Sequence, residues 1–309
     1  MSAPQGVLAV VGATATGKSA LAVDVALRLG GEVISADAFT AYRGIDAGTA
    51  KPTVEERRGV PHHLVDIKDP SDPFSAGEFA RLARAISREI LSRGKLPILC
   101  GGTGFYVRAF FEGLFVGPPR DERLRTALRI VQERHGAPWL VRALGLIDPE
   151  SGARISQRDG ARAIRYLEIA ISTGRRPSDL FRERPGERWE GPSVKVLLTL
   201  PRPDLYGRIE RRFRESIMTR LPDEVRRLLE AGVPATAPAM AAIGYRETVE
   251  LVEGRMTPAE WAETVIRQTR RYAKRQETWF RSEPDLHSFR ADVPGLVDEV
   301  VATAGPLFS

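Results

Sequence analysis

Gly12-Ala13-Thr14-Ala15-Thr16-Gly17-Lys18-Ser19 fits the pattern G-x-x-x-x-G-K-[ST] and stands directly behind the apolar run Val7–Val11. That pattern describes a phosphate cradle. The glycines let the backbone curl with its N–H groups turned inward, the lysine neutralises phosphate charge, and the serine hydroxyl is a ligand for Mg2+. The stretch Ala20–Leu29, stopped by Gly30-Gly31, reads as the helix that follows the loop and adds its positive N-terminal end. Strand, glycine loop and helix in this order predict a phosphate-binding α/β fold, although the motif alone does not say which phosphate is held.

Working outward, strand-like runs at Val7–Val11, Glu32–Ser35, His63–Ile67, Leu96–Cys100 and Val194–Leu200 alternate with helical stretches such as Ala76–Arg93. This is the pattern of a parallel sheet, here a P-loop NTPase-like core. Between the fourth and fifth runs, a charged and mostly helical stretch opens at Gly117-Pro118-Pro119 and closes at Gly191-Pro192. It predicts a helical insertion domain at 118–192 within a catalytic core of 1–117 and 193–309. The last third, Tyr206–Ser282, reads as helices packed around the sheet and broken near Gly232–Pro238 and at Gly254.

A chain of 309 residues with 42% hydrophobic content can bury a substantial core. No apolar run approaches the roughly 20 residues needed to cross a bilayer, and the N-terminus leads into a strand without a signal-peptide pattern, so a cytoplasmic protein with no membrane partner is expected. The single Cys100 excludes an intramolecular disulfide and cannot build a zinc site; it reads as a small buried hydrophobe or as a reactive thiol. A net charge of +6 suits either a polyanionic partner or a merely basic enzyme. The excess is mostly arginine, which favours bidentate phosphate contacts and stacking on bases.

Asp37 closes Ser35-Ala36-Asp37 at the carboxyl end of a strand, where open α/β sheets place ligands. It reads either as a site carboxylate or as a turn cap. Asp66, closing His62-His63-Leu64-Val65-Asp66, supports a metal site or a turn, and the two histidines lack the third ligand a metal site needs. A second glycine loop, Gly101-Gly102-Thr103-Gly104-Phe105-Tyr106, is expected to admit a flat ligand and offer it the Thr103 hydroxyl. Its strand ends in Cys100-Gly101 rather than in an aspartate, which counts against simple ATP hydrolysis. Two basic sets stand out. Arg154, Arg158, Arg162 and Arg165 precede or enter a helix expected to start at Gly160 with Asp159 as its cap, leaving Arg162 and Arg165 on one face. Arg267, Arg270, Arg271, Lys274 and Arg275 recur at helical spacing with Tyr272, Trp279 and Phe280 interleaved, either a solvated face with aromatic anchors or a nucleic-acid contact.

The segments Gly12–Ser19, Ser35-Ala36-Asp37, Gly48-Thr49-Ala50-Lys51-Pro52, Pro61–Asp66, Gly101–Tyr106, Ala242-Ile243-Gly244-Tyr245-Arg246-Glu247 and Thr269–Arg281 occur in an order that resembles the bacterial tRNA dimethylallyltransferases. The resemblance runs from about Val7 to about Arg281, nearly the whole chain. It implies transfer of a dimethylallyl group from dimethylallyl diphosphate to N6 of adenine 37 in tRNAs reading codons that begin with U, by an enzyme acting as a monomer. The loop residues Gly12, Ala13, Thr14, Ala15, Thr16, Gly17, Lys18 and Ser19 would then hold the diphosphate, with Mg2+ on Ser19. Lys18, Arg208, Asp37 and Thr103 would carry the reaction, Arg208 as a further cation on the pyrophosphate and Asp37 as the acceptor of the N6 proton. The tRNA anticodon stem-loop would meet Asp37, Ala38, Phe39, Thr40, Gln157, Arg158, Asp159, Arg162, Arg165, Gly244, Tyr245, Arg246, Arg271, Lys274 and Arg275.

The chain departs from the family pattern at four places, where Thr40, Ala241 and Arg271 stand for glutamines and Tyr166 for an alanine. All four lie in stretches associated with tRNA rather than with the phosphate loop. Three alternatives stand beside the implied transfer: a free-nucleotide (adenylate) isopentenyltransferase, against which the helical insertion and the basic C-terminal region speak; a small-molecule kinase, which would want arginines in a short mobile lid rather than a long inserted domain; and a non-catalytic RNA-binding module, which would leave Lys18, Ser19 and Asp37 unused.

Overall fold

The computed structural model describes residues 2–115, 117–183 and 186–308. Its sheet has six strands: β1 (Val7–Gly12), β2 (Gly31–Ser35), β3 (His62–His63), β4 (Leu96–Gly101), β5 (Ser193–Thr199) and β6 (Leu286–Arg290). They run parallel in the order β3-β2-β4-β1-β5-β6. β1 and β4 are buried at every position, which is why both read as unbroken apolar runs rather than alternating ones. Ser35 pairs with Cys100 and Val11 with Gly101, so β2, β4 and β1 end level and their outgoing loops lie side by side.

The expected strand at His63–Ile67 shrinks to His62–His63. Leu64 and Asp66 take φ of 60° and 57°, left-handed conformations that break an extended run. β6 was not expected from the sequence, because as a half-exposed edge strand it lacks an apolar run.

The helices are α1 (Lys18–Leu29), the short α2 (Val54–Arg57), α3 (Ala76–Ser92), α4 (Gly104–Glu112), α5 (Glu122–His135), α6 (Ala137–Ile147), α7 (Pro149–Arg154), α8 (Gly160–Thr173), α9 (Pro177–Glu183), α10 (Arg202–Arg212), α11 (Leu221–Glu230), α12 (Tyr245–Val252), α13 (Pro258–Arg281) and α14 (Leu296–Thr303). Local signals place several of their ends. Gly30 closes α1 in the left-handed conformation and donates to Ala26 O, the Ser75 hydroxyl caps α3, and Thr257 with Glu260 forms a capping box before α13.

The chain divides into two compact units, 1–111 with 189–309 and 112–188. The second begins and ends earlier than the sequence suggested, because Trp189 belongs with the sheet. Its N–H donates to Phe111 O at 3.1 Å and its ring stacks on Phe110. Unit 112–188 packs α5, α6 and α8 around Leu140, Leu144, Ile164 and Leu167. The buried Glu168 accepts from Asp121 N at 2.7 Å and pairs with Arg125 and Arg165.

A second core in the sheet unit gathers α11, α12 and α13 around Phe213, Trp261 and Tyr245. Tyr245 and Gly244, expected to meet RNA, are buried here. The Tyr245 hydroxyl donates to Glu224 and accepts from Gly48 N at 3.2 Å, while Glu224 also takes the N–H groups of Asp46 and Ala47. Burial, reinforced by Glu224, pushes the phenol above its ordinary range. Tyr245 thus staples the segment after β2 to the helical core, and only Arg246 of that trio is exposed. Tyr245→Phe, which leaves Gly48 N–H without its acceptor and Glu224 with one donor fewer, should lower stability by about 1–3 kcal/mol in urea denaturation. Arg246→Gln should stay within about 0.5 kcal/mol of the parent.

Candidate active site

The phosphate loop leaves β1 at Gly12, whose φ is 147° and where a Cβ would stand 2.5 Å from Leu198 O. Ala15 and Gly17 also take positive φ, of 65° and 96°. The Thr16 hydroxyl donates to Ala13 O at 2.8 Å and closes the loop from within. α1 starts at Lys18, so its first N–H groups have no acceptor within the helix and its positive end faces the loop. Lys18 Nζ donates to Ala13 O at 2.6 Å, and burial pushes its ammonium down to about 8. Ser19 is exposed and lines the same cavity.

That cavity, of about 590 Å3, has the size of a small-ligand site. Arg208 and Arg212, one turn apart on α10, both line it. Arg208 Nη1 lies 4.0 Å from where a Cβ on Gly17 would be. Arg212 Nη2 donates to the Thr14 hydroxyl at 3.1 Å, its Nε is buried without a partner, and burial holds its guanidinium below the usual arginine value. Sequence reading named Arg208 and passed over Arg212, although the four-residue spacing was there to be seen. Among the described residues, none of Lys18, Arg208 and Arg212 forms an ion pair.

Asp37 and Thr103 line and adjoin the cavity from the ends of β2 and β4. Asp37 Oδ1 accepts from Phe39 N at 2.9 Å as a turn cap, and the residue also lines the cavity. The Thr103 hydroxyl accepts from Ala38 N at 3.3 Å and hydrogen-bonds Tyr272. Burial, with the charge of Asp37, pushes the Tyr272 phenol up to about 12, so it remains a donor. Thr40 lines the cavity but its hydroxyl lies 2.8 Å from that of Ser35.

The second glycine loop, expected to admit a flat ligand, lines the cavity with Gly101 and Gly102 and also packs closely on the protein. A Cβ on Gly101 would meet Ala36 O at 2.1 Å and one on Gly102 would meet Gln276 Nε2 at 2.2 Å, so these glycines admit the protein's own groups. The Cys100 thiol is pushed up to about 11 by burial and stays protonated, a small hydrophobe rather than a nucleophile. Asp66 pairs with the buried Lys51 at 2.5 Å, His63 meets Glu32 at 2.7 Å and His62 meets Val60 O at 2.8 Å, which makes all three structural. Among the described residues there is no group of three His, Cys, Asp or Glu able to hold a metal ion. Ser19, whose hydroxyl is the one conventional Mg2+ donor of the phosphate loop, would hold such an ion only together with donors from a bound ligand.

Of the basic residues on α13, Arg267, Arg271, Lys274 and Arg275 are exposed, the last lying over the Tyr272 ring at 5.6 Å. Arg270 is turned inward to Glu210 at 2.8 Å. Within unit 112–188, Gln157, Arg158 and Arg162 are exposed, and Asp159 caps α8 by accepting from Arg162 N. Arg165 is less exposed than Gln157, Arg158 and Arg162. It binds Glu168 at 2.8 Å and Pro118 O at 3.0 Å, ties that hold the unit together, and Tyr166 packs edge-on against Phe181.

The lowered Lys18 value gives a signed pH dependence. In the free protein the unfolded chain holds more protons than the folded one between about 8 and 10.5, so this group adds stability as pH rises through that window. A diphosphate in the loop favours the ammonium instead. At about pH 9, calorimetry in buffers of different ionisation enthalpy should therefore show proton uptake when diphosphate binds. Lys18→Met should abolish that uptake and weaken binding; undiminished uptake would place the proton elsewhere.

A family profile described as IPP transferase matches residues 40–283, and one described as isopentenyl transferase matches residues 5–71. The chain is 44% identical over 298 residues to a protein named tRNA dimethylallyltransferase from Thermomicrobium roseum, covering 95% of this chain and 89% of that one. A counterpart from Trichlorobacter lovleyi, tRNA dimethylallyltransferase 1, is 45% identical over 280 residues, covering 91% and 92%. The fold superposes on the tRNA isopentenylpyrophosphate transferase of Bacillus halodurans with a TM-score of 0.72 at 39% identity, covering 98% of this chain and 97% of that one. A eukaryotic dimethylallyltransferase, in structures of that enzyme acting on tRNA, gives 0.75 at 25% identity, covering 93% and 74%. On sequence and fold together, the chain belongs to the IPP transferase family, the tRNA dimethylallyltransferases.

Proposed function

We propose that the chain transfers the dimethylallyl group of dimethylallyl diphosphate to N6 of adenine 37, beside the anticodon, in tRNAs reading codons that begin with U, and releases pyrophosphate. The observation that carries this reading is one cavity combining a phosphate loop, three cations without ion pairs, and the carboxylate of Asp37. A γ-phosphate chemistry would want an aspartate at the end of β4, where Cys100-Gly101 stand.

As the bond between C1 and the bridging oxygen breaks, negative charge grows on the departing pyrophosphate. Lys18, Arg208, Arg212 and the N–H groups at the start of α1 stabilise it. The N6 lone pair forms the new bond to C1, and the N6 proton passes to Asp37. Thr103, held by Ala38 N and Tyr272, offers its hydroxyl to the incoming nucleotide or to the diphosphate. Ser19 would hold Mg2+, which when bound would supply further charge neutralisation.

The target base must leave the anticodon-loop stack, at a cost of a few kcal/mol. Backbone contacts from Arg271, Lys274 and Arg275 on α13, and from Gln157, Arg158 and Arg162 in the helical insertion, offset that cost and make binding fall steeply with salt. Thr40 and Ala241, which replace glutamines, both line the cavity and alter its recognition of the base.

Labelled dimethylallyl diphosphate with Mg2+ should be offered in parallel to unmodified tRNA carrying adenine at positions 36 to 38 and to AMP, ADP and ATP. Label should appear on tRNA alone. Asp37→Ala should slow transfer by about 100- to 10,000-fold with RNA affinity retained. Label on a free nucleotide would assign the chain to adenylate prenylation, and phosphate transfer from ATP would make it a kinase.

A further inference from the structure

Gln276, which no role in the proposed reaction has so far required, is buried on α13 and bonded at both ends of its amide. Its Oε1 accepts the Thr14 N–H at 2.8 Å, and its Nε2 donates to Gly102 O at 2.8 Å. A backbone N–H needs an acceptor and a carbonyl needs a donor, so the two partners fix the orientation of the amide and only a carboxamide satisfies both. Thr14 belongs to the phosphate loop after β1, while Gly102 precedes Thr103 in the loop after the neighbouring β4. Gly102 has room for this contact only because it lacks a Cβ. One turn earlier on α13, Tyr272 hydrogen-bonds Thr103, so the helix grips both loops.

We infer that Gln276 is the positioning residue that sets the donor loop against the acceptor loop, and so decides whether the departing allyl group meets adenine N6 or water. The inference rests on the prenyl transfer proposed above. Transfer needs C1 and N6 within about 3–3.5 Å and aligned; in the proposed reaction the diphosphate sits on the phosphate loop that holds Thr14, and Gly102 leads into Thr103, which adjoins the place of the incoming nucleotide. If the loops lose their register, C1 still loses its oxygen to pyrophosphate. The water oxygen then bonds to C1, a water proton goes to solvent, and the products are dimethylallyl alcohol and pyrophosphate. Keeping water out of the reacting pair is the usual defence against such a side reaction.

The test measures pyrophosphate released and RNA prenylated in the same reactions, with the full chain and unmodified tRNA. Gln276→Met keeps the volume and removes both bonds. Gln276→Glu keeps the acceptor for Thr14 N–H and sets a carboxylate oxygen against the Gly102 carbonyl. The parent should release one pyrophosphate per prenylated RNA. Both variants should prenylate about 100-fold more slowly and release pyrophosphate in excess, matched by dimethylallyl alcohol, while tRNA and pyrophosphate affinities hold. If Gln276→Met does not fold, the glutamate variant decides alone. Variants that lose transfer but stay stoichiometric would overturn the inference and leave Gln276 a purely structural residue. A parent that prenylates nothing would sink the functional reading instead.

Discussion

Positive charge gathered in a cavity whose lining, among the described residues, has Asp37 as its single carboxylate is the constraint on which this structure depends. Desolvated cations are costly unless something compensates them, and here the compensation is makeshift: a loop carbonyl for Lys18 and a threonine hydroxyl for Arg212. The lowered Lys18 and Arg212 values have the same origin. A diphosphate supplies the missing negative charge, and the sheet order supplies the place for it. With β2, β4 and β1 adjacent and level, the carboxylate after β2, the hydroxyl after β4 and the phosphate loop after β1 converge without any long-range contrivance.

Much of this was legible in the sequence because it is written in local chemistry. The phosphate loop is a contiguous pattern, β1 and β4 are short apolar runs between breakers, and Asp159 announces the start of α8 as a cap does. What escaped was written in tertiary contacts. Tyr245 and Arg165 look like RNA-binding residues in a linear signature, yet one is spent on a buried carboxylate and the other on Glu168 and a backbone carbonyl. The glycines of the second loop were read as room for a ligand and are also room for Ala36 and Gln276. Arg212 was overlooked although its spacing from Arg208 puts it one turn further along the same helix, and Gln276 because a glutamine in a helix carries no local signal. Only the fold brings them to Thr14, more than a hundred residues earlier in the chain.

α13 has two jobs on opposite faces. Its outer side carries Arg271, Lys274 and Arg275 to solvent, while its inner side carries Gln276, Ala273 and Phe280 into the protein. On the proposed function, the exposed face would meet the RNA while the buried face holds the reacting loops, so that one helix would serve both substrates. Positioning of this kind is most precise when it is built on a helix rather than on a loop.

The central claim is that the phosphate loop serves as a seat for a leaving group and not as a site of phosphoryl transfer. The most direct measurement follows the bridging oxygen. Dimethylallyl diphosphate carrying oxygen-18 between C1 and the α-phosphorus is turned over with tRNA, and the products are analysed by mass spectrometry. The account predicts the label wholly in the released pyrophosphate, because the carbon–oxygen bond breaks. Label retained with the dimethylallyl carbon would mean that a phosphorus–oxygen bond breaks, and would contradict it.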